Sequence, residues 1–263
     1  MNLNPKISDW TNRRIWLVGA SSGIGAALAR ALSERGAYLA LSARSSAKLK
    51  ALNIPSALIL PCDVSDNVSL AVARKTLLAA WGGVDLVVYL AGDYLPMEAT
   101  GFDLEQAERI VTVNYNGALH LAATILSDLS PGGGIAWVAS AAGYRGLPKA
   151  LAYGPSKAAL INFAECLYFD LATKGVGVWL INPGFVETRL TAQNDFKMPE
   201  LITPERAALC IIDGFKTGVF EIHFPRRFTR VLKFLSLLPD CWYFPLMAYL
   251  TRAKQDQHET PGS

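Results

Sequence analysis

"RIWLVGASSGIGAALARALSERG", Arg14 to Gly36, carries three signals in one run. Its first five residues are almost wholly apolar and of strand length, as in a strand covered on both faces. Gly19, Gly23 and Gly25 follow, spaced G-x-x-x-G-x-G. Glycines at a strand-to-helix junction permit a tight turn and let backbone approach a ligand closely. From Gly23 the apolar residues recur at three and four, predicting a helix that closes near Gly36. Strand, glycine turn and helix in this order predict an anion site at the helix N-terminus, where free N–H groups would meet a pyrophosphate.

The same alternation continues along the chain. "YLALS", "ALIL", "VDLVVYL", "GIAWVAS", "VGVWLIN" and "VFEIHF" read as further buried strands. Helical periodicity fills the intervals, as in "FDLEQAERIVTVNYNGALHLAATILSDL", Phe102 to Leu129. Seven strands interleaved with helices predict an α/β fold: a three-layer, doubly wound Rossmann fold with a mainly parallel seven-stranded sheet. We expect one cofactor-binding and catalytic domain over 1–225 and a helical hydrophobic C-terminal extension over 226–263.

The chain has 263 residues, 51% of them hydrophobic, 18% charged, with a net charge of +3. Such a chain buries a sizeable core and is not disordered. No basic stripe suits nucleic acid, and no nucleic-acid partner is expected. "MNLNPKISDWTNRR" offers no apolar h-region, so no signal peptide is expected. Cys62, Cys166, Cys210 and Cys241 lie far apart and read as buried free thiols of a reducing, cytoplasmic setting. His120, His223 and His258 show no ligand spacing, and no metal is expected.

The second strand ends in "LALSARSS" with no Asp or Glu between Tyr38 and Lys50. An acid there would accept from a ribose 2′-OH, whereas an arginine suits a 2′-phosphate. Arg44 therefore favours NADP(H) over NAD(H), although it could also be a solvated loop charge. In "YGPSK", Tyr153 and Lys157 share a helix face, and Pro155 is tolerable in a first turn. Chance alone gives about 0.4 such Y-x-x-x-K pairs in a chain of this composition, so the motif is weak by itself. A nearby ammonium would lower a phenol pKa towards the range useful for general acid catalysis.

"GASSGIG", "CDVSD", "LAG", "VNYNG", "VASAAG", "YGPSK" and "INPGFVETRL" occur together, in order, between about Arg13 and Phe224. In this the chain resembles the short-chain dehydrogenase/reductase family, in its shorter-subunit branch. The resemblance implies that Tyr153 exchanges a proton with the substrate oxygen. Lys157 would lower the phenol pKa and hold the nicotinamide ribose, and Ser140 would bind the substrate carbonyl. Asn114 would support a water linking Lys157 to solvent. Gly19, Ser21, Ser22, Gly23, Ile24 and Gly25 would form the phosphate turn, with Asp63 and Val64 at the adenine. Ala91 and Gly92 would allow close approach of the cofactor. Pro183, Gly184, Val186 and Thr188 would lie along the nicotinamide. Two residues depart from the family pattern: Val18 stands for the usual threonine before the first glycine, and Leu90 for the Asn of N-A-G. Both usual residues tie strands and turns together.

A homodimer or homotetramer is also implied by the resemblance. Substrate choice is expected after Thr188, in "RLTAQNDFKMPELI", followed by a helix capped at Thr203 with Pro204 at its first position. Beyond the last strand, Phe228, Val231, Leu232, Leu235 and Leu238 fall at helical spacing beside Arg226, Arg227, Arg230 and Lys233. This stretch would pack on the body or on another subunit, or lie peripherally on a membrane through 226–250. Lys233, Asp240, Pro239 and Pro245 argue against a spanning helix. The apolar mouth implies a hydrophobic, lipid-like ketone or aldehyde, with NADP(H)-dependent carbonyl reduction as the reaction. The alternatives are a 3-oxoacyl-thioester reductase and a non-catalytic NADP(H) sensor or scaffold.

Overall fold

The computed structural model describes residues 3–194, 196 and 198–255. Asp195 and Lys197 of the expected substrate lid, His258, and the two ends of the expected domain ranges lie outside them. Seven strands form one parallel sheet: β1 (Arg14–Val18), β2 (Tyr38–Ser42), β3 (Leu58–Ile59), β4 (Val84–Tyr89), β5 (Leu129–Val138), β6 (Gly177–Pro183) and β7 (Glu221–Phe224). Their order across the sheet is β3-β2-β1-β4-β5-β6-β7, and all neighbours run parallel. β3 is shorter than "ALIL" suggests, pairing only through Leu58 and Ile59.

Helices α1 (Gly23–Ser33), α2 (Ser46–Lys50), α3 (Asn67–Trp81), α4 (Leu104–Val111), α5 (Gly117–Ile125), α6 (Tyr153–Ala172) and α7 (Pro204–Thr217) connect the strands. Side chains alternate across the sheet, so β1 feeds two cores. Ile15 and Leu17 join Leu28 and Leu32 of α1 and Ile211 and Phe215 of α7. Trp16 and Val18 join Leu70 of α3, Leu121 of α5 and Leu160 of α6. Burial on both faces explains the continuous apolar strands.

Local signals set the helix boundaries. Asp66 caps α3 by accepting from the Val68 N–H at 2.9 Å, and Gly82, at φ +69°, ends it. Thr203 accepts from the Arg206 N–H at 3.2 Å, with Pro204 first in α7, as expected. The helical periodicity read over 102–129 divides into α4 and α5, joined by a π turn, Thr112–Asn116. That widened turn sits beside the candidate site, a frequent place for such a bulge.

Strand order reverses between β1 and β4, opening a crevice beyond their carboxyl ends. Gly19 sits there at φ +101°, and a Cβ on it would meet the Ala91 nitrogen at 2.4 Å. The Val18 and Leu90 departures do not leave this turn loose. Gly19 and Ala20 donate N–H bonds to the Ser42 carbonyl at 2.8 and 3.0 Å, and Leu90 donates to Val18 at 2.7 Å. Main-chain bonds thus tie the strand ends together.

After β7, α8 (Arg226–Ser236) and α9 (Asp240–Gln255) form the extension. The expected α8 stripe divides: Phe228, Leu232 and Leu235 are partly buried, while Val231 is exposed. Cys62 is buried as expected, but Cys166 and Cys241 are on the surface, where their helices face outward. Among the described residues, no helix is long and apolar enough to cross a membrane.

Candidate active site

A cleft of about 1710 Å3, counting its space open to solvent, runs along the carboxyl ends of β1, β2, β4 and β6. All the residues expected to bind cofactor line it, from the Gly19–Gly25 turn past Arg44, Asp63, Val64, Ala91 and Gly92 to Pro183, Gly184, Val186 and Thr188. Tyr153, Lys157 and Ser140 close its inner end.

The walls suit a dinucleotide. Ser22 makes no capping bond at the start of α1, and the first turn of α1 contains no acid. Its leading N–H groups therefore remain available to an anion. Gly92 lies on this wall, where a Cβ would stand 3.5 Å from Asn114 Oδ1 and 3.6 Å from Lys157 Nζ, at ordinary contact distance. At the outer end Arg44 and Lys48 are exposed on the cleft margin. Lys48 was not picked out from the sequence. It reaches the margin because Ser45 Oγ caps the short α2, accepting from the Lys48 N–H at 3.3 Å. Burial opposes ionisation of Asp63, but hydrogen bonds from Ser65 and the Arg44 charge outweigh it and hold the carboxyl below its usual range.

Ser140 follows β5, and its Oγ accepts from the Ala142 N–H at 3.1 Å, which fixes the hydroxyl at the strand end. Tyr153 opens α6, with Lys157 one turn on and its Nζ 5.7 Å from the phenol ring centre. Lys157 donates to the Val138 carbonyl at 3.0 Å, linking α6 to the strand that carries Ser140. Burial pushes the Lys157 ammonium down to about 8. It also pushes the Tyr153 phenol up, and a hydrogen bond with Ser140 only partly opposes this. Desolvation thus outweighs the Ser140 hydrogen bond, and the phenol stands above its ordinary value.

Asn114 is fully buried in the π turn, behind the cleft wall. Its amide donates to the Asp93 carbonyl at 3.0 Å and to Ser156 Oγ at 2.9 Å, and accepts from the Asp93 N–H at 2.7 Å. It braces the loop after β4 against α6.

A second pocket, of about 690 Å3 counting its space open to solvent, adjoins the first and shares Ser140, Tyr153, Pro183, Gly184, Leu190 and Thr191 with it. Its other walls are mainly apolar. Phe185 stacks near Phe196 and Phe228, with ring centres 5.7 and 5.3 Å apart. Leu232 of α8 adds to this wall. Tyr94 was not singled out from the sequence, yet its ring meets Tyr153 edge-on at 4.9 Å, and its hydroxyl bonds to Asn194 at 2.6 Å.

The loop after Ser140 is fastened to the extension. Tyr144 bonds to Glu221, which also pairs with Lys233 of α8. Arg145 donates to the Ser236 carbonyl at 3.1 Å and also to the Leu238 carbonyl, pairs with Asp240, and lies 3.9 Å from the Tyr243 ring centre. Tyr243 donates to the Gly146 carbonyl at 2.7 Å. The extension thus forms part of the site's support.

The sequence profile for short chain dehydrogenases matches residues 13–198, and the chain belongs to this family. An uncharacterized oxidoreductase of Myxococcus xanthus is 34% identical over 242 residues, 89% of this chain and 96% of that one. Another, from Staphylococcus epidermidis, is 34% identical over 186 residues, 68% of this chain and 80% of that one. A Burkholderia cenocepacia short chain dehydrogenase, solved in complex with NADP, has a TM-score of 0.78 at 22% identity, covering 96% of this chain and 100% of that one. A Serratia marcescens short-chain dehydrogenase/reductase has a TM-score of 0.74 at 21% identity, covering 82% and 96%. The two solved structures share this fold. The chain is a short-chain dehydrogenase/reductase, an oxidoreductase acting on CH–OH and C=O groups.

Proposed function

We propose that the chain is an NADP(H)-dependent reductase of hydrophobic ketones or aldehydes, with Tyr153 as the proton donor. One observation carries this reading: a polar, glycine-walled cleft and an apolar pocket meet at Ser140 and Tyr153. A carbonyl bound in the pocket would come against both hydroxyls.

A reduced nicotinamide held by the cleft from the Gly19–Gly25 turn to Thr188 would supply the hydride for the carbonyl carbon. Ser140 donates a hydrogen bond to the carbonyl oxygen and stabilises its growing negative charge. Tyr153 gives its proton to that oxygen, and burial keeps the phenol loaded for the task. Lys157 stabilises the resulting phenolate and returns a proton to it. Asn114 positions α6 through Ser156. The exposed Arg44 and Lys48 offer two cations to a 2′-phosphate, which supports NADP(H) over NAD(H).

The apolar pocket walls support a lipophilic substrate. Along a series of unbranched aldehydes, kcat/KM with NADPH is expected to rise about fourfold per methylene until the pocket is filled, from about 0.8 kcal/mol per buried CH2. Initial rates of NADPH oxidation check this. A flat profile, or activity confined to small polar carbonyls, rules out the lipophilic reading.

A further inference from the structure

We propose that α8 and the first part of α9 form a docking face for an anionic lipid bilayer. This goes beyond the reductase reading and does not depend on it. Val231, Phe234 and Leu237 of α8 are 56%, 66% and 80% exposed, and Trp242 and Tyr249 of α9 are 66% and 71% exposed. Between Asp240 and Leu250 only Tyr243 is buried, so the described chain leaves most of this surface uncovered. Large apolar and aromatic side chains concentrated on one two-helix arm mark an interaction surface. Tryptophan and tyrosine among them suit the polar–apolar boundary of a bilayer.

Charge selects the occupant. Residues 226–250 contain four basic residues and one acid. Asp240 is paired with Arg145, and Lys233 with Glu221 of the body. Arg226, Arg227 and Arg230 remain exposed beside Val231 and Phe234. A two-fold contact with a second copy through this face would set two copies of the same basic surface against each other. An anionic headgroup layer instead satisfies the arginines while the boundary region receives the apolar side chains. The inward residues Phe228 and Leu232 of the same helix line the apolar pocket.

The test is co-flotation of the full chain with phosphatidylcholine vesicles, with and without roughly 30 mol% phosphatidylglycerol. The chain is expected to float with the anionic vesicles, much less with neutral ones, and to be released by high salt. The combined variant Arg226→Gln, Arg227→Gln, Arg230→Gln is expected to bind on the order of 100-fold more weakly, about fivefold per arginine. Phe234→Ser with Leu237→Ser is expected to lose binding at unchanged charge. Retained NADPH affinity and thermal midpoint show that each variant is folded. Failure to float with either vesicle overturns the proposal, as does equal binding to both. Loss of self-association in the Phe234/Leu237 variant, with no vesicle binding in the parent, assigns the face to a second copy and also overturns it.

Discussion

Tyr153→Phe is expected to lower kcat for carbonyl reduction about 1000-fold, within the span attributed to general acid catalysis. NADPH affinity should stay within about twofold, since the ring and its edge contact with Tyr94 remain and only the hydroxyl is lost. The pH profile supplies an independent check. Reduction consumes the Tyr153 proton, and Lys157 must be protonated to restore it. Because burial holds Lys157 near a pKa of about 8, reduction is expected to be steady below that pH and to decline above it. Alcohol oxidation, which needs the opposite protonation, is expected to rise over the same range. Stopped-flow traces of wild type and variant, with NADPH binding measured by fluorescence, separate chemistry from affinity. Equal loss of binding and turnover would show Tyr153 to be structural.

The second large effect concerns the cofactor. Arg44→Asp is expected to reduce kcat/KM for NADPH on the order of 100-fold, through loss of a charge-assisted bond and new repulsion of the 2′-phosphate. Activity with NADH should hold or improve, because the new carboxylate can accept from a ribose 2′-OH. Lys48 remains on the same margin and moderates the change. Saturation curves for the two nucleotides report the switch directly. Equal losses with both would place Arg44 in scaffolding and remove the NADP(H) preference.

Local sequence signals carried much of this site. The glycine turn, the Tyr153–Lys157 spacing and the Thr203 cap depend on residues within one or two helical turns, and each stands where its spacing requires. Long-range effects were not legible. Burial moves Tyr153 and Lys157 in directions that their spacing alone does not disclose. Asn114 acts through Asp93 and Ser156, partners on separate elements. Phe228 and Tyr94 flank the site from distant parts of the chain. The ties from Arg145 to the α8–α9 junction span more than 90 positions. The π turn escaped detection because α4, the turn and α5 share one helical periodicity. The apolar stripe of α8 was legible as a helix, but the face left uncovered depended on where β7 delivers it.

The central claim is hydride transfer from nicotinamide to a carbonyl carbon in this site, and isotope transfer tests it most directly. NADPH deuterated at both C4 positions is supplied with the aldehyde turned over fastest in the chain-length series, and the alcohol is analysed by mass spectrometry. The predicted result is one deuterium on the former carbonyl carbon for each NADPH oxidised, with labelled alcohol formed about 1000-fold more slowly by Tyr153→Phe. Unlabelled alcohol would contradict the account, as would tight NADPH binding without oxidation across the whole series.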